Sequence, residues 1–193
     1  MWLEKMEGSQ RLTEEFSGNS ICLTSKRIFL KGNTLCTAEK VCFVRDLFFK
    51  KRPYKIHWQT WQKEDVELLF HTSTCLFLIL NKPQLKSIGY ISINKGVFEI
   101  VVEENYCQKG YSIEATLLLM HYYFSIFKPS SEYITTYIHF NNTHSLRTSL
   151  HFGWKINEIT SINKEQWYEL RFCRNLFFQT EFLTEIKKRY SIL

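Results

Sequence analysis

The residues with the clearest chemical potential are consecutive: Val101-Val102-Glu103-Glu104-Asn105-Tyr106-Cys107-Gln108-Lys109-Gly110-Tyr111-Ser112. Val101 and Val102 end an apolar run that reads as a strand, the middle is polar, and apolar residues at helical spacing follow from Ile113. A strand that passes through a polar loop into a helix presents backbone amides with no intrahelical acceptor, and the helix macrodipole adds to their pull on an anion. Gly110 lets the backbone approach a phosphate closely. The run satisfies neither the G-x-G-x-x-G dinucleotide fingerprint nor the nucleotide-binding loop with its Lys-Ser/Thr ending. Cys22, Cys36, Cys42, Cys75, Cys107 and Cys173 form no Cys-x-x-Cys pair, which argues against a zinc ribbon and a redox dithiol. His139, His144 and His151 fit no ligand spacing, so no metal is expected.

The chain that must position these amides has 193 residues, 45% hydrophobic and 23% charged, enough for one domain with a proper core. Its longest apolar candidate, Cys75 to Leu80, falls far short of the roughly 20 residues that span a bilayer, so no membrane insertion is expected. The opening Met1-Trp2-Leu3-Glu4-Lys5 lacks the pattern of a secretory signal, and a cytoplasmic location is expected. A formal charge of +6 ranks partners weakly.

Residues 1–19 read as an N-terminal arm. Ile21 to Leu23 and Ile28 to Leu30 read as one strand or two short ones. Helices are expected after Thr37 and Thr60, separated by the basic turn Lys50-Lys51-Arg52-Pro53, which reads as a solvated loop because no stacking platform accompanies it. Cys75 to Leu80, Ile88 to Ile93 and Val97 to Val102 form an antiparallel meander, with a tight turn at Asn94-Lys95-Gly96. Ile113, Leu117, Met120, Phe124 and Phe127 mark a long helix stopped by Pro129. A strand over Tyr133 to Phe140, a short helix over Thr143 to His151 and strands over Trp154 to Ile159 and Trp167 to Cys173 follow, with a loop from Thr160 to Gln166. A helix after Thr180 carries Lys187, Lys188 and Arg189 in its last turn, where cations oppose the macrodipole.

Three blocks then acquire a joint meaning: Ile88-Gly89-Tyr90-Ile91; Gln108-Lys109-Gly110-Tyr111-Ser112-Ile113-Glu114-Ala115; and Asn142-Thr143-His144-Ser145-Leu146-Arg147 leading to Phe152-Gly153-Trp154. In this order the chain resembles the GNAT superfamily of N-acetyltransferases, and within it the Rim-type ribosomal-protein N-terminal acetyltransferase branch. The second block is similar to that branch's Gly-Lys-Gly-Tyr-Ala-Thr-Glu-Ala segment and the third to its Asn-x-x-Ser segment. The resemblance implies a mixed α/β (α+β) fold over residues 20–175. A central, mostly antiparallel twisted sheet of about six to seven strands would carry helices on both faces, with residues 176–193 forming a C-terminal helix packed on or next to the domain.

The resemblance further implies acetyl-CoA as co-substrate, its pyrophosphate on the amides of Gln108, Lys109, Gly110, Tyr111 and Ser112 and its pantetheine along Val101 and Val102. An amine, of a protein N-terminus or a small molecule, would attack the thioester directly. Glu99 stands where relatives place a carboxylate that faces the acceptor and is the candidate base. Glu103 shares its face in a regular strand, and Glu158 and Glu165 are lesser candidates. Ser145 would protonate the departing thiolate, and Asn142 would order cofactor and acceptor. His139 reads as a satisfied strand-end histidine. Cys107 stands where relatives carry Arg or Gln, Gln108 where a glycine is usual, and Ser149 where other branches carry a tyrosine acid. The competing reading is a non-catalytic acyl-CoA-binding or regulatory module on the same scaffold. A monomer or homodimer is expected, and nucleic acid is not an expected partner.

Overall fold

Residues 21–32 and 75–190 are described in the computed structural model of the chain. The arm 1–19, the helices expected after Thr37 and Thr60, and the basic turn at Lys50 lie outside the described residues. Among the described residues eight strands form one sheet: β1 (Cys22–Thr24), β2 (Ile28–Gly32), β3 (Cys75–Asn81), β4 (Ser87–Asn94), β5 (Val97–Val102), β6 (Tyr133–His139), β7 (Lys155–Ile162) and β8 (Glu165–Cys173), in the order β1-β2-β3-β4-β5-β6-β8-β7. Helices α1 (Tyr111–Tyr122), α2 (Thr143–Phe152), α3 (Arg174–Phe177) and α4 (Thr180–Tyr190) complete the described elements, with a 3-10 turn at Glu104–Tyr106 ahead of α1 and a π-turn at Tyr123–Phe127 extending it. Among the described residues no helix is long and apolar enough to cross a membrane.

The strand count exceeds the expected six to seven because the chain turns back at Ser25, whose N–H donates to Ile28 O at 3.1 Å. Leu23 then pairs with Leu30 in a hairpin. The expected loop from Thr160 to Gln166 is instead two strands joined at Asn163 and Lys164, both left-handed at φ 53° and 66°. That pair of positive φ values matches the twist of a tight hairpin, and the Lys in place of the usual Gly hides it from sequence.

Period-two alternation sends Leu30, Phe77, Ile79, Ile91, Ile93, Phe98, Ile134, Leu170 and Phe172 into one buried cluster with α1. Burying each such side chain is worth about 1.5–3 kcal/mol. Ile113, Leu117, Met120 and Phe124 of the helical stripe are all buried there. The stripe leaves α-geometry at Tyr123, whose carbonyl accepts from Lys128 N at 2.7 Å, and ends before Pro129. Phe182 of α4 packs edge-on against Phe152 and tilted against Phe172, so the terminal helix docks on the same side.

Two local features shape the sheet's centre. Ile88 is an extra residue in β4, since Ile79 pairs with Gly89 and Leu80 with Ser87. At Gly89 a Cβ would stand 2.2 Å from Val101 O, so only glycine lets the end of β5 lean onto β4. The second feature is the parallel junction of β5 and β6, whose register is a single pair, Val97 with Thr135. Thr135 N donates to Gly96 O at 2.9 Å and Thr136 Oγ1 to Phe98 O at 3.0 Å. Beyond Phe98, β5 keeps its pairing with β4 through Val102, while β6 keeps its pairing with β8 through His139. The strands therefore diverge into a wedge that opens toward Val102 and His139.

Candidate active site

Ligands of open sheets with parallel strands favour the crevice beyond the strands' carboxyl ends. Here that crevice is the mouth of the wedge, where β5 leads into the loop ahead of α1 and β6 into the loop ahead of α2. A single 3-10 turn over Glu104–Tyr106 starts the first loop, with Cys107 N donating to Glu104 O at 3.0 Å. Cys107 Sγ lies 3.6 Å from both Val102 O and Glu103 O. Gln108 (φ 59°) and Gly110 (φ 78°) are both left-handed, which curls successive amides into a concave, anion-accepting surface. Gly110 is the N-cap of α1 and offers no capping side chain. Glu114 N is the first amide to reach an intrahelical carbonyl, Gly110 O at 3.1 Å, so the amides ahead of it in the first turn have no helical acceptor.

The second loop is built differently. Asn142 caps α2, its Oδ1 accepting from Ser145 N at 3.2 Å, and its own N–H donates to His139 O at 2.8 Å. Ser145 is half-buried in the first turn of α2. Gly153 closes this helix in the left-handed region at φ 102°.

On the face of the sheet opposite α1, Glu99 of β5 is half-buried and pairs across to Ser92, itself buried. Counting two residues from the Val97–Thr135 junction on each strand brings Glu99 and Tyr137 to the same level on the same face, one on each wall of the wedge. Glu103 lies just past β5. Its N–H donates to Ile88 O at 2.7 Å, which carries the β4 register one residue further, and its carboxylate lies 3.5 Å from Lys86 Nζ. Glu158 is on edge strand β7, two strands from the wedge, beside Glu169. Glu165 meets His139, Nε2 to Oε2 at 3.4 Å. His139 Nδ1 accepts from Asn141 N at 3.2 Å and its ring packs edge-on against Trp167.

Two groups of charged residues escaped the sequence reading. Glu169, buried on β8, accepts from Asn157 Nδ2 at 3.0 Å, Arg171 Nε at 3.1 Å and Tyr137 OH at 3.3 Å. Burial, then the adjacent Glu169 carboxylate, pushes the Tyr137 phenol up, which keeps it protonated across the neutral range. Its sequence signal was the alternation of Tyr133, Tyr137 and His139 opposite Glu169 and Arg171. Glu114, in the first turn of α1, is 1% exposed and ion-paired to Arg27 Nε at 2.7 Å. A carboxylate inside an apolar helical stripe was the available hint.

The chain matches no protein-family model and no curated protein sequence. Solved structures do match. A chimera of spermidine N-acetyltransferase SpeG from Vibrio cholerae and hSSAT aligns with a TM-score of 0.65 at 15% identity, over 80% of this chain and 99% of that one. A GNAT-family acetyltransferase from Bacillus anthracis aligns with a TM-score of 0.63 at 17% identity, over 80% and 99%. This chain has the GNAT fold. A candidate ribosomal-protein-serine acetyltransferase from Vibrio cholerae shares it at a TM-score of 0.59 and 13% identity, over 79% and 97% of the two chains. In the GNAT-fold sheet of this chain, the diverging β5 and β6 and the open first turn of α1 fall side by side.

Proposed function

We propose that the protein is an N-acetyltransferase that moves an acetyl group from acetyl-CoA to a primary amine, of a protein N-terminus or a small molecule. The observation that carries this reading is the β5–β6 wedge, held at one residue pair and opening beside the uncapped start of α1. A wedge gives an extended ligand arm a place between strands with free backbone groups on its walls, and the adjacent amides suit a diphosphate. The residues present fit acetyl-CoA on this ground, and it would supply an acetyl group activated as a thioester.

The chain's own groups divide the work. Amides from Gln108 to Ser112 hold the diphosphate. The backbones of Val101 and Val102 line the arm, and one of their N–H groups meets the charge that develops on the carbonyl oxygen. Glu99 takes the proton from the acceptor ammonium, which frees the lone pair that forms the new C–N bond as the C–S bond breaks. Ser145 returns a proton to the departing sulphur. Asn142 spends Oδ1 on its cap, so Nδ2 is the atom left to meet cofactor or acceptor. Tyr137, level with Glu99 and oriented by Glu169, faces the acceptor from the other wall.

The Rim-type branch is the finer form of this proposal, supported by the Gln108–Ala115 and Asn142–Arg147 blocks and by Ser149 where other branches would carry a tyrosine. An acyl-CoA-binding module without turnover is the second reading, favoured by Cys107 in place of a loop cation. Free-thiol release from acetyl-CoA over a panel of N-terminal peptides, polyamines and aminoglycosides tests both. Turnover with any acceptor establishes the transferase, binding without turnover establishes the module, and the absence of binding ends both.

A further inference from the structure

We propose that Arg27, seated by Glu114, is a positioning residue that orients the loop ahead of α1 for the acyl-CoA diphosphate; the proposal rests on the reading of that loop above. Glu114 is 1% exposed, and a carboxylate so deeply buried requires close partners. Among the described residues, its side-chain partners all come from the turn between β1 and β2. Arg27 Nε donates to Oε2 at 2.7 Å, Arg27 N donates to Oε1 at 3.0 Å, and Ser25 Oγ donates to Oε1 as well. The turn is thus pinned to the first turn of α1 by three donors on one carboxylate.

The guanidinium then acts on the loop. Arg27 NH1 donates to Lys109 O at 2.8 Å, and the guanidinium carbon sits 4.9 Å from the centre of the Tyr111 ring. One planar group therefore ties the helix through Glu114, the loop through Lys109 and the helix's first residue through Tyr111. Lys109 O and Gly110 N–H are opposite ends of one trans peptide. Fixing the carbonyl toward Arg27 aims the Gly110 N–H away from it, and fixes the sense in which the neighbouring amides curl. Glu114 already balances the charge of Arg27, so the contribution is orientation rather than neutralisation of phosphate. Lysine cannot reproduce it, because a single ammonium lacks the fork that reaches Glu114 and Lys109 O together. Cys107 and Gln108 supply no cation to this loop, and Lys109 Nζ lies over the Tyr106 ring, so the cation that holds the Lys109 carbonyl comes from the distant β1–β2 turn.

The test compares Arg27→Gln, Arg27→Lys and Glu114→Gln with the parent chain, by calorimetry with acetyl-CoA and by saturation-transfer NMR with acetyl-pantetheine, which has no diphosphate. The expected result is a dissociation constant for acetyl-CoA raised about tenfold or more in both Arg27 variants, as befits the loss of a charge-assisted bond. Acetyl-pantetheine binding should stay within about twofold, because the wedge itself is untouched. Arg27→Lys keeps a cation for Glu114 and provides the folded comparison if Arg27→Gln does not fold. A folded Arg27 variant that melts lower yet binds acetyl-CoA like the parent overturns the proposal, as does equal weakening for both ligands. Failure of the parent chain to bind acetyl-CoA overturns the underlying site reading instead.

Discussion

Helices α1 and α2 both begin where β5 and β6 end, and each leaves a first turn of amide donors to be satisfied. In α2 the chain satisfies one of them itself, Asn142 Oδ1 accepting from Ser145 N. In α1 the cap is Gly110, left-handed and without a capping side chain, and the loop is braced from behind by Arg27 on Lys109 O. On the proposed reading, the difference separates a helix start that serves the fold from one kept available for a ligand. Asn142 and Ser145 are engaged in a cap, while Gln108, Lys109 and Gly110 form the concave part of the loop.

The sharpest way to test that division is to alter the chemistry without touching either helix start. Glu99→Gln is expected to lower kcat by about 10²- to 10⁴-fold, the range for loss of a general base, with acetyl-CoA affinity unchanged. Steady-state kinetics and calorimetry together read this, and a parental kcat would remove Glu99 from the mechanism. Next in size, Gly110→Val puts a β-branched residue in the left-handed region, at a cost of roughly 1–2 kcal/mol, and crowds the diphosphate. Its dissociation constant for acetyl-CoA should rise about tenfold or more. Gly89→Ala drives a Cβ into Val101 O and should cost about 1–3 kcal/mol in urea denaturation, with β5 displaced from β4.

At α2 the same comparison predicts a different currency. Asn142→Ala removes the cap and should cost about 1 kcal/mol of stability. Asn142→Asp keeps an oxygen for Ser145 N and should regain that stability. It lacks the amide donors, so it should still bind acetyl-CoA more weakly than the parent. If the Asp variant binds as the parent does, Asn142 is a cap and nothing more.

Much of this arrangement was legible in the chain because it depends on local pattern. Alternation in Val97 to Val102 and Tyr133 to His139 fixes which side chains share a face, and the polar run ahead of Ile113 marks the start of α1. The illegible part depends on contacts between distant segments. Arg27 and Glu114 are separated in sequence by four of the eight described strands, and neither has a local motif that announces the other. Glu169 is held by Asn157 and Tyr137 only after β6, β7 and β8 align. Glu103 looked like a partner for Glu99 by spacing alone. Its carboxylate lies 3.5 Å from Lys86 Nζ, a contact between neighbouring strands that spacing within one strand does not announce.

The far end of α1 extends the contrast to pH. His121 sits in its last turn, where the macrodipole favours an imidazolium. Burial opposes this and prevails, pushing the His121 imidazole below its ordinary value of 6.5. The folded state then holds fewer protons at this ring than the unfolded chain in mildly acidic solution. Its contribution to stability is present above about 6.5 and is lost as pH falls through the lower folded value. Melting temperatures measured from pH 7.5 downward should therefore fall, and His121→Gln should flatten part of that decline. Because the two ends of α1 are separated by the length of the helix, acetyl-CoA affinity of the variant at pH 7.5 should equal that of the parent. A variant that loses affinity at neutral pH would couple the helix's buried end to its open start, and the independence of the two would fail.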